Sequence, residues 1–274
     1  MFHCENSGKK SSPVIIMDAT TRLGRACARE AAEGGRSLVL LTHGKSVDEG
    51  LKKSLERAAV EYMTTDTEPW DEEGMRALME NVVGHFGGIH GFVYNYFFRI
   101  FGGIQKITED MFAENYVKNI KAPFFTAQLA ASCIDRSECG KFVFLTSIQD
   151  EKPSGKDPLY SMAMAAVKNM SREAALAYGP DGISSIVIEL GLMEQAADVS
   201  GSRFTTFFDG YSCKMPLRGG GNEADVGKTC AFLLSDDCKF INGAEIRMDG
   251  GLLLHYLDDA ANHRTILGGG ECHG

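Results

Sequence analysis

The chain has 274 residues, 44% of them hydrophobic and 24% charged, which suits one large α/β domain with a sizeable core. Its 28 Lys and Arg against 37 Asp and Glu give a net charge of −9 without any basic run, which excludes the electrostatic footprint of a nucleic-acid or anionic-membrane binder. No apolar run reaches the ~18 residues of a membrane span, and the first twelve residues are polar, so a soluble, cytoplasmic protein is expected.

Strands and helices alternate along the chain. A short apolar run over 13–17 precedes an alanine-rich helical stretch over 23–33, and a second strand covers 37–42. A charged helix over 47–59 leads to an edge-like strand over 60–64. A helix is expected over 72–86, a fourth strand over 91–94, one long helix over 109–133, and a fifth strand over 142–146. The pattern closes with a helix over 158–178, a sixth strand over 184–189, a helix over 225–235 and a last strand over 245–248. Seven strands joined by crossover helices imply a parallel, doubly wound sheet with helices on both faces. One domain is expected over 1–274, with residues 1–12 a polar extension and 254–274 a tail.

The eight cysteines are Cys4, Cys27, Cys133, Cys139, Cys213, Cys230, Cys238 and Cys272, with no Cys-x-x-Cys among them. They indicate reduced, buried thiols rather than a disulfide frame or a zinc site. The group His263, Cys272 and His273 lacks a fourth metal ligand and sits in a Gly-rich stretch, so no metal is expected.

Several scattered motifs then carry a family resemblance. They are Asn119-Ile120-Lys121-Ala122-Pro123-Phe124, Leu145-Thr146-Ser147, Tyr160 thirteen residues after Ser147, Pro216-Leu217-Arg218-Gly219, and Ile241 through Gly251 with Asp249 and Gly250. Across residues 13–253 the chain resembles the short-chain dehydrogenases/reductases. That resemblance implies a single-domain Rossmann-like fold, a nicotinamide cofactor and an Asn–Ser–Tyr–Lys catalytic set.

The departures from the family pattern converge on one reaction. Asn119, Ser147 and Tyr160 match three members of the set, but the position of the lysine holds Met164. A phenol ionises near ~10 unaided, so an adjacent ammonium is what permits proton exchange near neutrality; a thioether cannot supply it. Lys168 lies one helical turn further on, about 6 Å along the axis. The glycine-rich pyrophosphate turn of the family is Asp18-Ala19-Thr20-Thr21-Arg22-Leu23-Gly24 here, and only Gly24 remains. Asp18 brings negative charge toward a pyrophosphate, and the Arg22 side chain is expected in the space the backbone needs for close approach. At Thr42-His43 neither an acid for a ribose hydroxyl nor an arginine for a 2′-phosphate appears. Asp66 matches the acid near the adenine. Asn95, Tyr96 and Phe97 replace a small-residue segment, so two rings are expected in the adenosine half of the pocket.

These losses predict a pseudoenzyme with Asn119, Ser147 and Tyr160 vestigial and no cofactor bound by this chain. Its role would be to assemble with and stabilise an active, NAD-dependent paralogous dehydrogenase, as a heterotetramer. The substrate would belong to the partner, with a benzylsuccinyl-type hydroxyacyl-CoA one expectation. Within the helix over 158–178, Ala163, Ala165, Ala166, Ala174, Ala175 and Ala177 are expected to permit close helix packing between subunits. The run Leu252 through Tyr256 either covers a neighbour or packs on its own subunit. Two alternatives remain open: an active NAD(P)-dependent alcohol/ketone oxidoreductase with an unusual site, and a ligand-sensing homo-oligomer.

Overall fold

The structure is a computed structural model that describes residues 12–135, 137–194, 215–217 and 219–254. The strands are β1 (Val14–Ile16), β2 (Leu38–Leu41), β3 (Tyr62–Thr65), β4 (Gly91–Tyr94), β5 (Gly140–Ser147), β6 (Ile183–Leu190) and β7 (Glu245–Met248). They form one sheet in the order β3-β2-β1-β4-β5-β6-β7, with every pairing parallel.

The sequence pattern explains the layering. In β1, Val14 and Ile16 face one core while Ile15 faces the other, and all three are fully buried. β5 repeats the arrangement, with Val143 and Leu145 on one side and Phe142 and Phe144 on the other. Such uninterrupted apolar strands are stable only where helices cover both faces. α1 (Arg22–Glu33), α2 (Glu49–Ala58) and α7 (Glu223–Leu234) contribute to one layer, while α3 (Glu72–Phe86), α5 (Ala122–Cys133) and part of α6 (Pro158–Tyr178) contribute to the other. Burying each large aliphatic side chain contributes about 1.5–3 kcal/mol against its exposed state. β3 alternates exposed and half-buried residues, as its position at the sheet edge requires.

The expected helix over 109–133 is not one regular helix. α4 (Glu109–Tyr116) and α5 are joined by a π-helical turn, Val117–Lys121, centred on Asn119. The buried Asn119 side chain accepts from the Phe98 amide at 3.0 Å and donates to the Phe98 carbonyl at 2.6 Å and to Asn115 Oδ1 at 2.8 Å. Anchoring the loop after β4 in this way keeps the wide turn in place.

Of the six alanines assigned to subunit contact, Ala163, Ala174 and Ala175 are buried in their own subunit, and only Ala165, Ala166 and Ala177 remain accessible. The correction follows from helix rotation: those three share the inward face with Tyr160, Met164 and Val167. No helix among the described residues is long and apolar enough to cross a membrane. Cys27, Cys133, Cys139, Cys230 and Cys238 form no disulfide among the described residues; the remaining cysteines, and His263 and His273, lie outside the described residues.

Candidate functional site

Strand order reverses between β1 and β4, and in open parallel sheets the crevice beyond the strand ends at such a point is where ligands bind. The turn after β1 is held there by Asn95. Its buried side chain accepts from the Asp18 amide at 3.0 Å and donates to the Asp18 carbonyl at 2.7 Å. Gly24 is compelled by the same contact, because a Cβ there would meet the Asp18 carbonyl oxygen at 1.7 Å and Asn95 Nδ2 at 2.7 Å. Asn95 is therefore a structural staple between β4 and the β1–α1 turn.

The rest of the turn is committed internally. The Asp18 carboxylate accepts from the Thr20 amide at 2.9 Å and the Thr20 hydroxyl at 2.7 Å. The Thr21 hydroxyl caps α1 by accepting from the Gly24 amide at 3.1 Å. Arg22 does not fill the turn, contrary to the sequence-based expectation: its guanidinium reaches across to Glu223 at 2.9 Å and the Glu194 carbonyl at 3.3 Å. A carboxylate at position 223 attracts it outward.

At the end of β2, His43 fills the corner. Its ring nitrogens stand 2.9 Å from the Met17 carbonyl oxygen and 2.7 Å from Glu68, and Tyr96 packs between His43 and Trp70 with centroid separations of 5.6 and 5.0 Å. Thr42 donates to Asp66 at 2.5 Å, and Asp66 also accepts from the Gly44 amide at 3.2 Å. Thus Asp66 closes a local turn. Phe97 corrects the expectation of two rings in the adenosine half: it turns the other way and meets Tyr160 edge-on at 6.2 Å. A nicotinamide dinucleotide held in the family's manner needs free backbone at the first turn and room beside the β2 end. In this chain a carboxylate and a capped helix start stand at the first turn, and the His43–Tyr96–Trp70 stack stands beside the β2 end.

Deeper in the crevice the structure brings Ser147 and Tyr160 together, close enough for the Ser147 hydroxyl to act on the phenol. Met164 is buried against Tyr160, Ala163, Phe97 and Ile120. Burial pushes the Tyr160 hydroxyl up to about 12, although Arg99 and Ser147 pull against it. Near neutrality this phenol carries its proton.

Arg99 was not anticipated. Its guanidinium lies over the Tyr160 ring, 4.6 Å from the centroid, and over Phe101 at 4.8 Å. The buried Asp157 carboxylate clamps it, itself accepting from Ser154 at 2.5 Å. Gly102 donates to the Lys156 carbonyl at 2.7 Å, so the loop after β4 is strapped to the loop before α6 across this site. The only sequence signal was a lone arginine within an aromatic segment.

Lys168 does not replace the missing ammonium. Its Nζ lies 2.8 Å from Asp150, 3.1 Å from Glu151, 2.9 Å from Glu189 and 3.1 Å from Glu245, and these bonds raise its pKa despite its burial. Arg247 pairs with Glu189 and Glu151, and Arg172 with Glu245. Among the described residues, Asp150, Glu151 and Glu189 have oxygens within 4.8 Å of one another, a spacing that suits a metal, but the Lys168 ammonium already stands among them. The cluster is a charge clasp between α6, β6 and β7.

An alkaline titration tests the Tyr160 environment. Its pKa is about 10 in the unfolded chain and about 12 in the folded one. The folded state therefore keeps its proton longer, so this contribution is present below pH 10 and lost as pH rises toward 12. Tyr160→Phe is expected to flatten that part of the stability curve, worth about 3 kcal/mol; an unchanged slope would refute the assignment.

The fold and the residues lining this crevice define a dinucleotide-type α/β oxidoreductase scaffold. The family model described as Enoyl-(Acyl carrier protein) reductase matches residues 19–253, and the chain belongs to the short-chain dehydrogenase/reductase family. It is 22% identical over 248 residues to glucose 1-dehydrogenase 2 of Bacillus subtilis, covering 88% of this chain and 94% of that protein. To the 3-oxoacyl-[acyl-carrier-protein] reductase MabA of Mycobacterium tuberculosis it is 24% identical, covering 88% and 93%. Among solved structures, a 3-oxoacyl-[acyl-carrier protein] reductase from Brucella melitensis superposes with a TM-score of 0.80 at 19% identity, covering 91% of this chain and all of that one. The L-sorbose reductase of Gluconobacter frateurii, solved with NADPH and L-sorbose, gives 0.79 at 21% identity, covering 89% and 98%.

Proposed function

We propose that this chain is a non-catalytic member of its family that binds no nicotinamide cofactor and assembles with an active, NAD-dependent paralogue in the cytoplasm. The observation that carries this reading is the pairing of Met164 with a buried Tyr160 whose phenol stays protonated up to about pH 12. The occupied first turn and the His43–Tyr96–Trp70 stack support the same conclusion from the cofactor side. Exposed Phe112, Tyr116 and Phe124 on α4–α5 and Met162 on the adjoining α6 supply an apolar surface for the partner. We infer that the partner oxidises a benzylic alcohol of a benzylsuccinyl-type CoA thioester. This chain would then correspond to the inactive subunit of a 2-(hydroxyphenylmethyl)succinyl-CoA dehydrogenase, which its pattern of losses resembles.

The test is native mass spectrometry of the complex from its own cells, followed by turnover of the reconstituted complex. A second dehydrogenase-like chain with an intact Tyr-x-x-x-Lys is expected in the mass. Tyr160→Phe in this chain is expected to leave turnover within about twofold of wild type, whereas loss of an acid–base residue in a working site costs about 10²–10⁴-fold. A loss of that size would overturn the reading.

One observation favours the ligand-sensing homo-oligomer as a second reading. A cavity of about 530 Å³ lies beside Ser147, lined by Gln149, Lys152, Leu192, Leu252 and Leu253. A homo-oligomer in the same mass measurement, stabilised by a metabolite, would favour it.

A further inference from the structure

Beside this crevice, and sharing Trp70 with it, a cleft of about 240 Å³ opens between the start of α3 and α5. Its walls are Trp70, Phe125, Met75 and Leu129, so its body is apolar and partly aromatic. Two features are not explained by packing. Thr126 lines the cleft, is 2% exposed, and its hydroxyl has no hydrogen-bond partner among the described residues. A buried hydroxyl without a partner is costly and uncommon in a native fold. At the cleft, Arg76 and Lys121 share one carboxylate, Glu72, at 4.0 and 3.7 Å. Both contacts are at the outer limit of an ion pair, and two cations on one anion leave a surplus positive charge.

We propose that this cleft is a binding site for a small aryl carboxylate, its ring between Trp70 and Phe125, its carboxylate on Arg76 and Lys121, and Thr126 supplying a hydrogen bond. The volume sets the size. Sites for drug-sized ligands span about 300–1,000 Å³, so a cleft below that range accepts a ligand of roughly one ring. The charge sets the class, because arginine and lysine flanking an aromatic slot complement a monoanion. The site lies on a different helix pair from the crevice at Tyr160 and does not depend on whether the chain is catalytic.

Benzoate is the probe, with benzyl alcohol as the uncharged counterpart, in a titration of the full chain followed by ligand-observed NMR and thermal unfolding. Saturable binding of benzoate with a rise in Tm is expected, with benzyl alcohol at least about tenfold weaker, the equivalent of one charge-assisted contact. The surface double variant Arg76→Met, Lys121→Met is expected to lose the same factor while unfolding like wild type. Thr126→Val is expected to weaken benzoate about threefold or more while unfolding at or above the wild-type temperature without ligand, because it removes an unsatisfied buried hydroxyl. Absence of saturation, or equal binding to wild type and the double variant, would overturn the site.

Discussion

Lys168→Ala is expected to destabilise the folded chain by about 3–5 kcal/mol, the cost of removing one partner from a buried ionic cluster. The ammonium is in contact with Asp150, Glu151, Glu189 and Glu245 at 2.8–3.1 Å, and its side chain is 9% exposed. After its removal, the four carboxylates are left, among the described residues, with Arg172 and Arg247. Their mutual repulsion acts in a poorly solvated site, where water does not screen it well. The midpoint of thermal unfolding is expected to fall by roughly 10 °C. The combination Lys168→Met with Glu189→Leu is expected to recover part of the loss, because an apolar replacement of both charges leaves less charge unmatched. A single variant that melts within about 2 °C of wild type would show that the cluster contributes little.

Met164→Lys is expected to be the second large effect, and it restores no activity. Met164 is 2% exposed and packs against Phe97, Ile120, Tyr160 and Ala163. The nearby acid Asp157 is already taken by Arg99. A new ammonium there enters an apolar pocket without a counter-ion, a change expected to cost about 3–5 kcal/mol. On the proposed reading, NAD-dependent turnover is expected to remain at background, because the variant leaves the Asp18–Thr20 contact at the first turn and the His43–Tyr96 packing at the β2 end unchanged. Measurable oxidation of an alcohol by this single variant would show that the cofactor region is more permissive than its geometry implies.

Sheet topology was legible because alternating apolar runs and crossover helices admit few arrangements, and the fold needed only that pattern. The position of Ser147 beside Tyr160 was legible from spacing on β5 and α6. Side-chain directions were not. Arg22 turns outward because Glu223, 201 residues later, attracts it, and no local signal carries such a pairing. Phe97 and Tyr96 are neighbours in sequence yet serve opposite ends of the crevice, because successive residues leaving a strand face opposite ways. Arg99 over Tyr160 joins loops 58 residues apart through Asp157. The sequence located the altered positions; the chemistry of what fills them is tertiary.

The π-helical turn at Val117–Lys121 also sets an angle. Each residue of an α-helix advances about 100° around the axis, so in a regular helix Phe124, twelve residues after Phe112, would stand about 120° away from it. The wider turn absorbs one residue, and the effective spacing becomes eleven, or about 20°. Tyr116, four residues after Phe112, stands about 40° away. The surplus residue therefore draws Phe112, Tyr116 and Phe124 into one longitudinal row. Deleting it would preserve a helix of nearly the same length while rotating the distal ring out of the row, so the azimuth of the exposed aromatic row depends on a single inserted residue held by Asn119.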